Sequence, residues 1–318
     1  MGIVFGPVPS RRLGMSLGVN NIPAKFCTYS CIYCQIGRTA NLVVERRRFY
    51  GVEKIVDEVA EHVEEAEKRG IKIDYITFVP DGEPTLDIDL GRAAEKIREL
   101  GYRVAILTNG SLLFREDVRR DLEVFDLVSV KVDSVNARTW KRINRPHPTL
   151  SLEKILEGMK LFGESYRGTL ITETMVVRGV NDNIGELKAV ASFLRELKPN
   201  AAYISIPVRP PAEPWATPPD EKTLTMLFEE ARRSLPNVRV ELLAHPEPPS
   251  FKPLSQGPRE AILSIASVHP LRREAALQLL AHYSADESVL RELVRRGEIV
   301  EVRYRGETFY LRRVLRKS

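Results

Sequence analysis

An alternation of strand-like and helix-like segments along the first two thirds of the chain is the feature that most constrains the fold. Strands are predicted at 17–22, 75–80, 104–109, 127–133, 169–177 and 201–208, and helices at 52–69, 88–100, 115–124, 151–162 and 184–197. Strands that alternate with helices form parallel sheets with right-handed connections. Six such repeats are two fewer than a closed eight-stranded barrel needs. The pattern therefore predicts an α/β fold with an open, partial (β/α)6 TIM-like barrel over residues 1–210.

The rest of the chain changes character twice. Residues 211–257 are rich in proline, which predicts an irregular wrapping segment and linker rather than helix or strand. Residues 258–318 are predicted to form three helices, the third opened by a capping box at 284–287, and then a hairpin that turns at Arg305 and Gly306. Three helices followed by a two-stranded wing predict a small C-terminal winged-helix domain.

The chain has only three cysteines, Cys27, Cys31 and Cys34, and all lie in one short loop after the first predicted strand. An odd number of closely spaced cysteines cannot form a disulfide framework, which favours a reducing, cytoplasmic location. Thiolates are the usual ligands of iron–sulfur clusters, and three of them on a four-iron cluster leave one iron open to a small molecule. A zinc site completed by a histidine, or three unrelated thiols, is the alternative. No apolar stretch is long enough to span a membrane, so no membrane partner is expected.

Polar residues end the predicted strands that follow the cysteine loop. Gly82, Glu83 and Pro84 come after the second strand, and Asn109 ends the third. The fourth ends in Lys131-Val132-Asp133. In β/α barrels the chemistry lies at the carboxyl ends of the strands, where these residues are expected to meet. A plain strand-to-helix turn is the alternative for the first group, and the polar turn at 178–182 is expected only to cap the next helix.

The cysteine spacing, with the aromatic Tyr33 before the last cysteine, resembles the radical S-adenosylmethionine superfamily. The sequence Asp81-Gly82-Glu83-Pro84 resembles that family's Gly-Gly-Glu-Pro motif, with an aspartate in place of the first glycine. The resemblance covers residues 1–210 and implies a [4Fe-4S] cluster on the three cysteines, whose fourth iron chelates S-adenosylmethionine. It also implies an electron donor such as ferredoxin or flavodoxin, and cleavage of the cosubstrate to a 5′-deoxyadenosyl radical that abstracts hydrogen from a substrate. The residues it implies as contacts of the cosubstrate are Tyr33, Gly82, Glu83, Pro84, Asn109, Lys131 and Asp133.

Three further segments, 5–23, 27–39 and 140–150, resemble the wyosine tRNA-synthetase-like group of the superfamily. The chain has no fourth cysteine, so it lacks the second cluster of those enzymes, and a relative with another substrate is expected. Modification of tRNA is the first interpretation. The alternatives are a radical enzyme that modifies peptides or activates a glycyl-radical protein, and a non-catalytic iron–sulfur regulator that binds nucleic acid.

Most of the net positive charge of the chain lies at its C-terminal end. The net charge is +5, and the residues after 254 carry twelve basic and eight acidic side chains, which accounts for +4 of it. Basic side chains on a hairpin are suited to neutralising phosphates, so a nucleic acid such as tRNA is the expected partner. Dimerisation, peptide binding and plain solvated surface remain as alternatives. The residues predicted to contact nucleic acid are Arg303, Arg305, Arg312 and Arg313.

Overall fold

The structure is a computed structural model of the chain and describes residues 2–245, 251–252, 254–255 and 257–313. Parts of the predicted linker and of the C-terminal segment, among them 246–250 and 314–318, lie outside the described residues. Residues 2–245 form an α/β domain around an eight-stranded sheet. Its strands are β1 (Val4–Ser10), β2 (Gly14–Val19), β5 (Tyr75–Phe78), β6 (Val104–Thr108), β7 (Leu127–Lys131), β8 (Thr169–Met175), β9 (Ala201–Ser205) and β10 (Arg239–Leu243), and β3 (Phe26–Cys27) and β4 (Asn41–Leu42) form a separate parallel pair.

The sheet is mostly parallel, as the alternation predicts. Its order is β1-β2-β5-β6-β7-β8-β9-β10, and only the β1–β2 pair is antiparallel. Within the described residues the edge strands β1 and β10 do not pair, so the sheet is open. The connecting helices are α1 (Val52–Lys68), α2 (Leu90–Glu99), α3 (Glu116–Leu122), α4 (Ala137–Asn144), α5 (Leu152–Ser165), α6 (Ile184–Leu197) and α7 (Glu221–Ser234).

The helices cover one side of the sheet because each carries an apolar stripe at helical spacing. In α1 the stripe of Ile55, Val59 and Val63 is buried, and the opposite face is charged. Apolar side chains from the sheet, such as Phe78, meet these stripes in the main core. Burying one such side chain contributes roughly 1.5–3 kcal/mol, so the helical layer is a large part of the stabilisation of the sheet.

The six predicted strands are present as β2 and β5 to β9, and β10 adds a seventh parallel strand. The prediction for 211–257 is wrong, because this segment contains α7 and β10 rather than only irregular chain. The prolines of this segment lie outside both elements: Pro219 precedes α7 and Pro236 follows it. Inside α7, Leu224, Leu227 and Ala231 form a buried stripe. Proline density thus marks the ends of these elements and not their absence.

Residues 257–313 form a C-terminal unit with its own core. It contains α8 (Pro258–Val268), β11 (Leu271–Arg272), α9 (Arg273–Ala281), α10 (Ser288–Arg295), β12 (Ile299–Tyr304) and β13 (Glu307–Arg312). The strands form an antiparallel sheet in the order β11-β13-β12. The three helices and the hairpin agree with the sequence prediction. The predicted capping box does not: Ser284 has a φ of 52° in the turn after α9, and the Asp286 carboxylate accepts from the Ser288 amide instead.

The C-terminal unit contacts the α/β domain at several points. The Gln35 side chain donates to the Val268 carbonyl at 2.8 Å, at the end of α8. The Tyr304 hydroxyl donates to the Pro207 carbonyl at 2.9 Å. One contact therefore joins the unit to the cysteine loop and the other to the segment after β9. None of the helices in the described part of the chain is long and apolar enough to pass through a membrane.

Candidate active site

The cysteine loop runs along the carboxyl edge of the sheet and is fixed by backbone hydrogen bonds. The Ser30 amide donates to the Asn144 carbonyl at 3.0 Å, and the Ile32 amide donates to the Ile143 carbonyl at 2.9 Å. These bonds join the loop to the end of α4, a helix that the sequence analysis missed. Cys27 lies in β3, and the Cys34 amide donates to the Cys31 carbonyl at 3.1 Å. The three thiols are thus held in one compact loop.

Burial governs the protonation of the three thiols. It raises the pKa of Cys27, Cys31 and Cys34, to about 12 for Cys31. A thiol in such surroundings becomes a thiolate when it binds a metal, because the bound cation deprotonates it outright. Three soft sulfur donors within eight residues match the ligands of an iron–sulfur cluster. This donor set fits a [4Fe-4S] cluster.

The turn after β5 packs directly against the cysteine loop. The Glu83 amide donates to the Phe26 carbonyl at 3.0 Å, next to Cys27. A Cβ atom on Gly82 would lie 1.8 Å from that same carbonyl oxygen, so no larger residue fits there without moving the backbone. Pro84 opens a single 3-10 turn, Pro84–Leu86. The predicted Gly-Glu-Pro group is therefore part of the site, and its glycine is needed for the close approach.

The Glu83 carboxylate is buried and joins the ends of two strands. Its Oε1 atom accepts from the Thr85 amide at 3.1 Å, from the Thr85 hydroxyl at 2.6 Å and from the Thr108 hydroxyl at 2.5 Å. Its Oε2 atom accepts from the Asn109 amide at 2.8 Å. Burial raises the pKa of Glu83, and these donors oppose the rise. The structure thus brings Glu83 and Asn109 together, as the sequence predicts.

Asp81 places a second carboxylate beside this turn. It is 2% exposed, and its Oδ1 atom has no hydrogen-bond partner within the described ranges. Burial raises the pKa of Asp81 to about 7, against the opposing charges of Lys25 and Arg312. Arg312 belongs to β13, so a residue of the C-terminal unit lies close to the strand ends of the α/β domain.

The remaining predicted contacts form a polar group beside Cys31. The Lys131 ammonium lies 3.6 Å from Asp133 Oδ1 and 4.9 Å from the centre of the Tyr33 ring. The Tyr33 hydroxyl and the Asn144 amide both donate to Asp133 Oδ2, the latter at 2.7 Å. Burial favours a lower pKa for Lys131, but the charges of Asp133 and Glu173 raise it. The structure therefore groups Tyr33, Lys131 and Asp133, as predicted.

Sequence analysis missed Glu173 and Arg12, which belong to the same group. Glu173 Oε1 lies 3.1 Å from the Lys131 ammonium and accepts from the Ser205 hydroxyl at 2.8 Å, and Arg12 pairs with Glu173 Oε2 from the turn between β1 and β2. Burial would raise the pKa of Glu173, but Arg12 and Lys131 hold it well below its usual range. One signal was present: a glutamate stands in the middle of an otherwise uncharged predicted strand. No local sequence signal pointed to Arg12, because its partner Glu173 is 161 residues away.

The four arginines predicted to contact nucleic acid do not share one environment. Arg303 and Arg305 are exposed on the hairpin, and Arg313 is exposed just after β13. Arg312 is half-buried instead: its Nη1 atom donates to the Leu263 carbonyl at 3.2 Å. Position along the hairpin explains the difference: Arg312 pairs with Ile299 at its base, against α8, whereas Arg303 lies on the same face near the turn.

Comparison with known proteins agrees with this geometry. A UPF0026 protein of Methanocaldococcus jannaschii is 45% identical over 314 residues, which are 99% of this chain and 97% of that protein. The probable dual-specificity RNA methyltransferase RlmN of Thermotoga maritima is 26% identical over 212 residues, 63% of this chain and 57% of that protein. A solved structure of TYW1 with a lysine–pyruvate adduct bound shares the fold, with a TM-score of 0.53 and 13% identity over 70% of this chain and 74% of that one.

The match to a family model decides the assignment. Residues 21–193 match the Radical SAM superfamily, a span that contains the cysteine loop, Glu83, Asn109 and Asp133. The family uses a [4Fe-4S] cluster and S-adenosylmethionine, which agrees with the donor set of the loop. The resemblance found in the sequence is confirmed: this chain belongs to the radical S-adenosylmethionine superfamily.

Proposed function

We propose that this protein cleaves S-adenosylmethionine reductively at a [4Fe-4S] cluster held by Cys27, Cys31 and Cys34. When bound, the cluster supplies one electron to the sulfonium, which yields methionine and a 5′-deoxyadenosyl radical. That radical takes a hydrogen atom from the substrate and leaves as 5′-deoxyadenosine. The observation that carries the proposal is the position of the three thiols, which lie in one loop whose residues contact the polar ends of β5, β6 and β7.

The residues around the loop have distinct parts in this proposal. The Oε1 atom of Glu83 is filled by three donors, whereas Oε2 accepts one, so Oε2 is the atom left for the ammonium of the cosubstrate. The Lys131 ammonium suits the carboxylate of the cosubstrate, and Asp133 suits a ribose hydroxyl. Gly82 and Pro84 fix the turn that carries Glu83. A ferredoxin or flavodoxin supplies the electron in a reducing cytoplasm.

We further propose that the substrate is an RNA, recruited by the C-terminal unit acting as a winged helix. The order of its elements, three helices followed by a hairpin, supports this, and so do the exposed Arg303 and Arg305. The similarity to an RNA methyltransferase favours the same class of substrate. Peptide modification, glycyl-radical activation and non-catalytic regulation are the other possible outcomes of the experiment below.

The test measures 5′-deoxyadenosine after anaerobic reconstitution of the full chain with iron and sulfide. With S-adenosylmethionine and dithionite, we expect about four irons per chain and steady formation of 5′-deoxyadenosine. The variant in which all three cysteines are Ala should bind no cluster and form no 5′-deoxyadenosine. Cluster-loaded protein that forms no 5′-deoxyadenosine would support the alternative of a non-catalytic regulator. Faster formation with a tRNA pool than with a peptide pool is expected, and the reverse order would overturn the RNA proposal alone.

A further inference from the structure

Two asparagine amides lie against two of the three cysteine sulfurs. The Asn144 Nδ2 atom is 3.4 Å from Cys31 Sγ, and the Asn109 Nδ2 atom is 3.7 Å from Cys27 Sγ. They come from different elements: Asn144 ends α4, and Asn109 follows β6. Both distances are within the range of an N–H···S hydrogen bond. Two independent parts of the fold therefore present the same group to the cysteine loop.

The neighbours of each asparagine fix which end of the amide faces the sulfur. The Asn144 amide nitrogen lies 2.7 Å from Asp133 Oδ2, and an ionised carboxylate can only accept, so the NH2 end must be on that side. The Asn109 Oδ1 atom accepts from the Ser111 amide at 2.9 Å, which leaves its NH2 end for Thr28 Oγ1 at 2.7 Å and for Cys27. Each amide thus uses one N–H as an anchor and has the other near a sulfur, although the Asn144 nitrogen also lies 3.5 Å from the Tyr33 hydroxyl.

Burying these two asparagine N–H groups destabilises the folded protein unless the sulfurs beside them accept well. Asn144 is 2% exposed, and a buried N–H group needs an acceptor. A neutral thiol accepts weakly, whereas a metal-bound thiolate carries negative charge and accepts well. Cys34 has a backbone donor instead, the Ile36 N–H, and the positive charge of Lys25 acts on it as well. All three sulfurs consequently face a donor or a cation.

We propose that Asn109 and Asn144 are positioning residues that raise the reduction potential of the cluster by donating N–H groups to Cys27 and Cys31. Hydrogen bonds to cluster sulfurs are one of the factors that set such potentials. Reduction adds negative charge to the cluster and its thiolates, which strengthens each N–H···S bond and so favours the reduced form. The inference rests on the three-cysteine cluster of the proposed function, and it is independent of the substrate.

The experiment compares the reconstituted full chain with Asn144→Leu, Asn109→Leu and the double variant. Leucine has nearly the shape of asparagine but no N–H group. We expect each variant to load a normal amount of iron and to be reduced at a more negative potential in a redox titration followed by EPR, with the double variant lowest. Resonance Raman spectra in H2O and D2O give a second readout, because only sulfurs that accept N–H bonds show deuterium-sensitive iron–cysteine vibrations.

A matched control separates this role from a structural one. Asn136 caps the start of α4, the helix that ends in Asn144, and its side chain accepts from the Arg138 and Thr139 amides. Asn136→Ala should weaken α4 without changing the potential or the deuterium shifts. Loaded leucine variants with the parent's potential and vibrations would overturn the inference, as would loss of the cluster in both single variants. If the potentials shift but the parent forms no 5′-deoxyadenosine, the proposed function fails and this inference stands.

Discussion

At the scale of single residues, the charges beside the cysteine loop are arranged around one carboxylate that lacks a full set of partners. Asp81 stands where the family's motif has glycine, and it is buried with one oxygen unpaired among the residues described. Glu83, two residues on, is by contrast bonded to four donors. A buried carboxylate without enough donors favours the protonated form. Asp81 therefore makes the stability of the protein depend on pH.

We predict that the parent protein loses stability as the pH rises from 4 to 7 and that the Asp81→Asn variant does not. Burial raises the pKa of Asp81 to about 7, so the folded protein holds this proton more tightly than the unfolded chain does. Its contribution to the free energy of unfolding therefore falls as the pH rises through that window, by at most about 4 kcal/mol. Urea unfolding at pH 5 and pH 8 measures this. Glu61→Gln, on the exposed side of α1, is the control, and an equal pH dependence in parent and Asp81→Asn would contradict the prediction.

The sequence predicts some of these residues and not others for a physical reason. The cysteines and Glu83 follow predicted strands, and Asn109, Lys131 and Asp133 end them. The shared edge of a parallel sheet brings such strand ends together. Asn144 and Arg12 act through side-chain contacts that span 113 and 161 residues. No local pattern encodes such a contact, so these two could not be predicted.

At the scale of elements, the segment between β9 and the C-terminal unit shows which elements a local sequence pattern predicts and which it does not. The predicted strand 17–22 overlaps β2, and the other five reappear as β5 to β9, because their apolar and β-branched content suits a buried sheet. The helix α7 was missed because prolines frame it. Its start is nevertheless marked by Asp220, whose side chain accepts from the Thr223 amide at 2.8 Å. That bond satisfies one of the free amide groups at the helix end.

We predict that Asp220→Ala lowers the free energy of unfolding by about 0.5–2 kcal/mol, the usual value of a lost helix cap. The effect should be local, since α7 packs on β10 and α6 at the edge of the sheet. Urea unfolding of the full chain gives the magnitude, and hydrogen exchange locates it. Glu221→Ala, at the exposed next position, serves as control. An Asp220→Ala variant as stable as this control would show that the cap contributes nothing.

At the scale of the whole molecule, the C-terminal unit is joined to the part of the α/β domain that holds the cysteines. Gln35 follows Cys34 directly and donates to Val268, and Tyr304 donates to Pro207, two residues before Arg209, which itself donates to Gln35. Arg312 adds a charge that acts on Asp81. The unit therefore supports the cysteine loop as well as presenting Arg303 and Arg305 to solvent.

We predict that a chain ending at residue 245 keeps its sheet but loses protection in the cysteine loop. Without Val268 the Gln35 side chain keeps, among the side-chain contacts described, only the one to Arg209, so the loop opens more often although its backbone bonds to α4 remain. Hydrogen exchange of residues 27–38 should accelerate, while exchange in β6 and β7 stays slow. The full chain with Arg303 and Arg305 both changed to Ala is the control, because it alters the exposed hairpin alone. Unchanged exchange in the truncated chain would show that the unit does not support the loop.

The contact between Gln35 and Val268 joins residues 233 positions apart, and this has a consequence during translation. At roughly 5–20 residues per second, a ribosome needs about 10–50 s to proceed from the cysteine loop to Val268. For most of that interval the three thiols lie outside the ribosome without the part of the chain that later contacts Gln35. Oxidants and stray metal ions reach them most easily in this window. Iron and sulfide delivered after chain release would therefore bind a loop whose contact with Val268 has formed. Iron and sulfide delivered earlier would bind a loop without that contact.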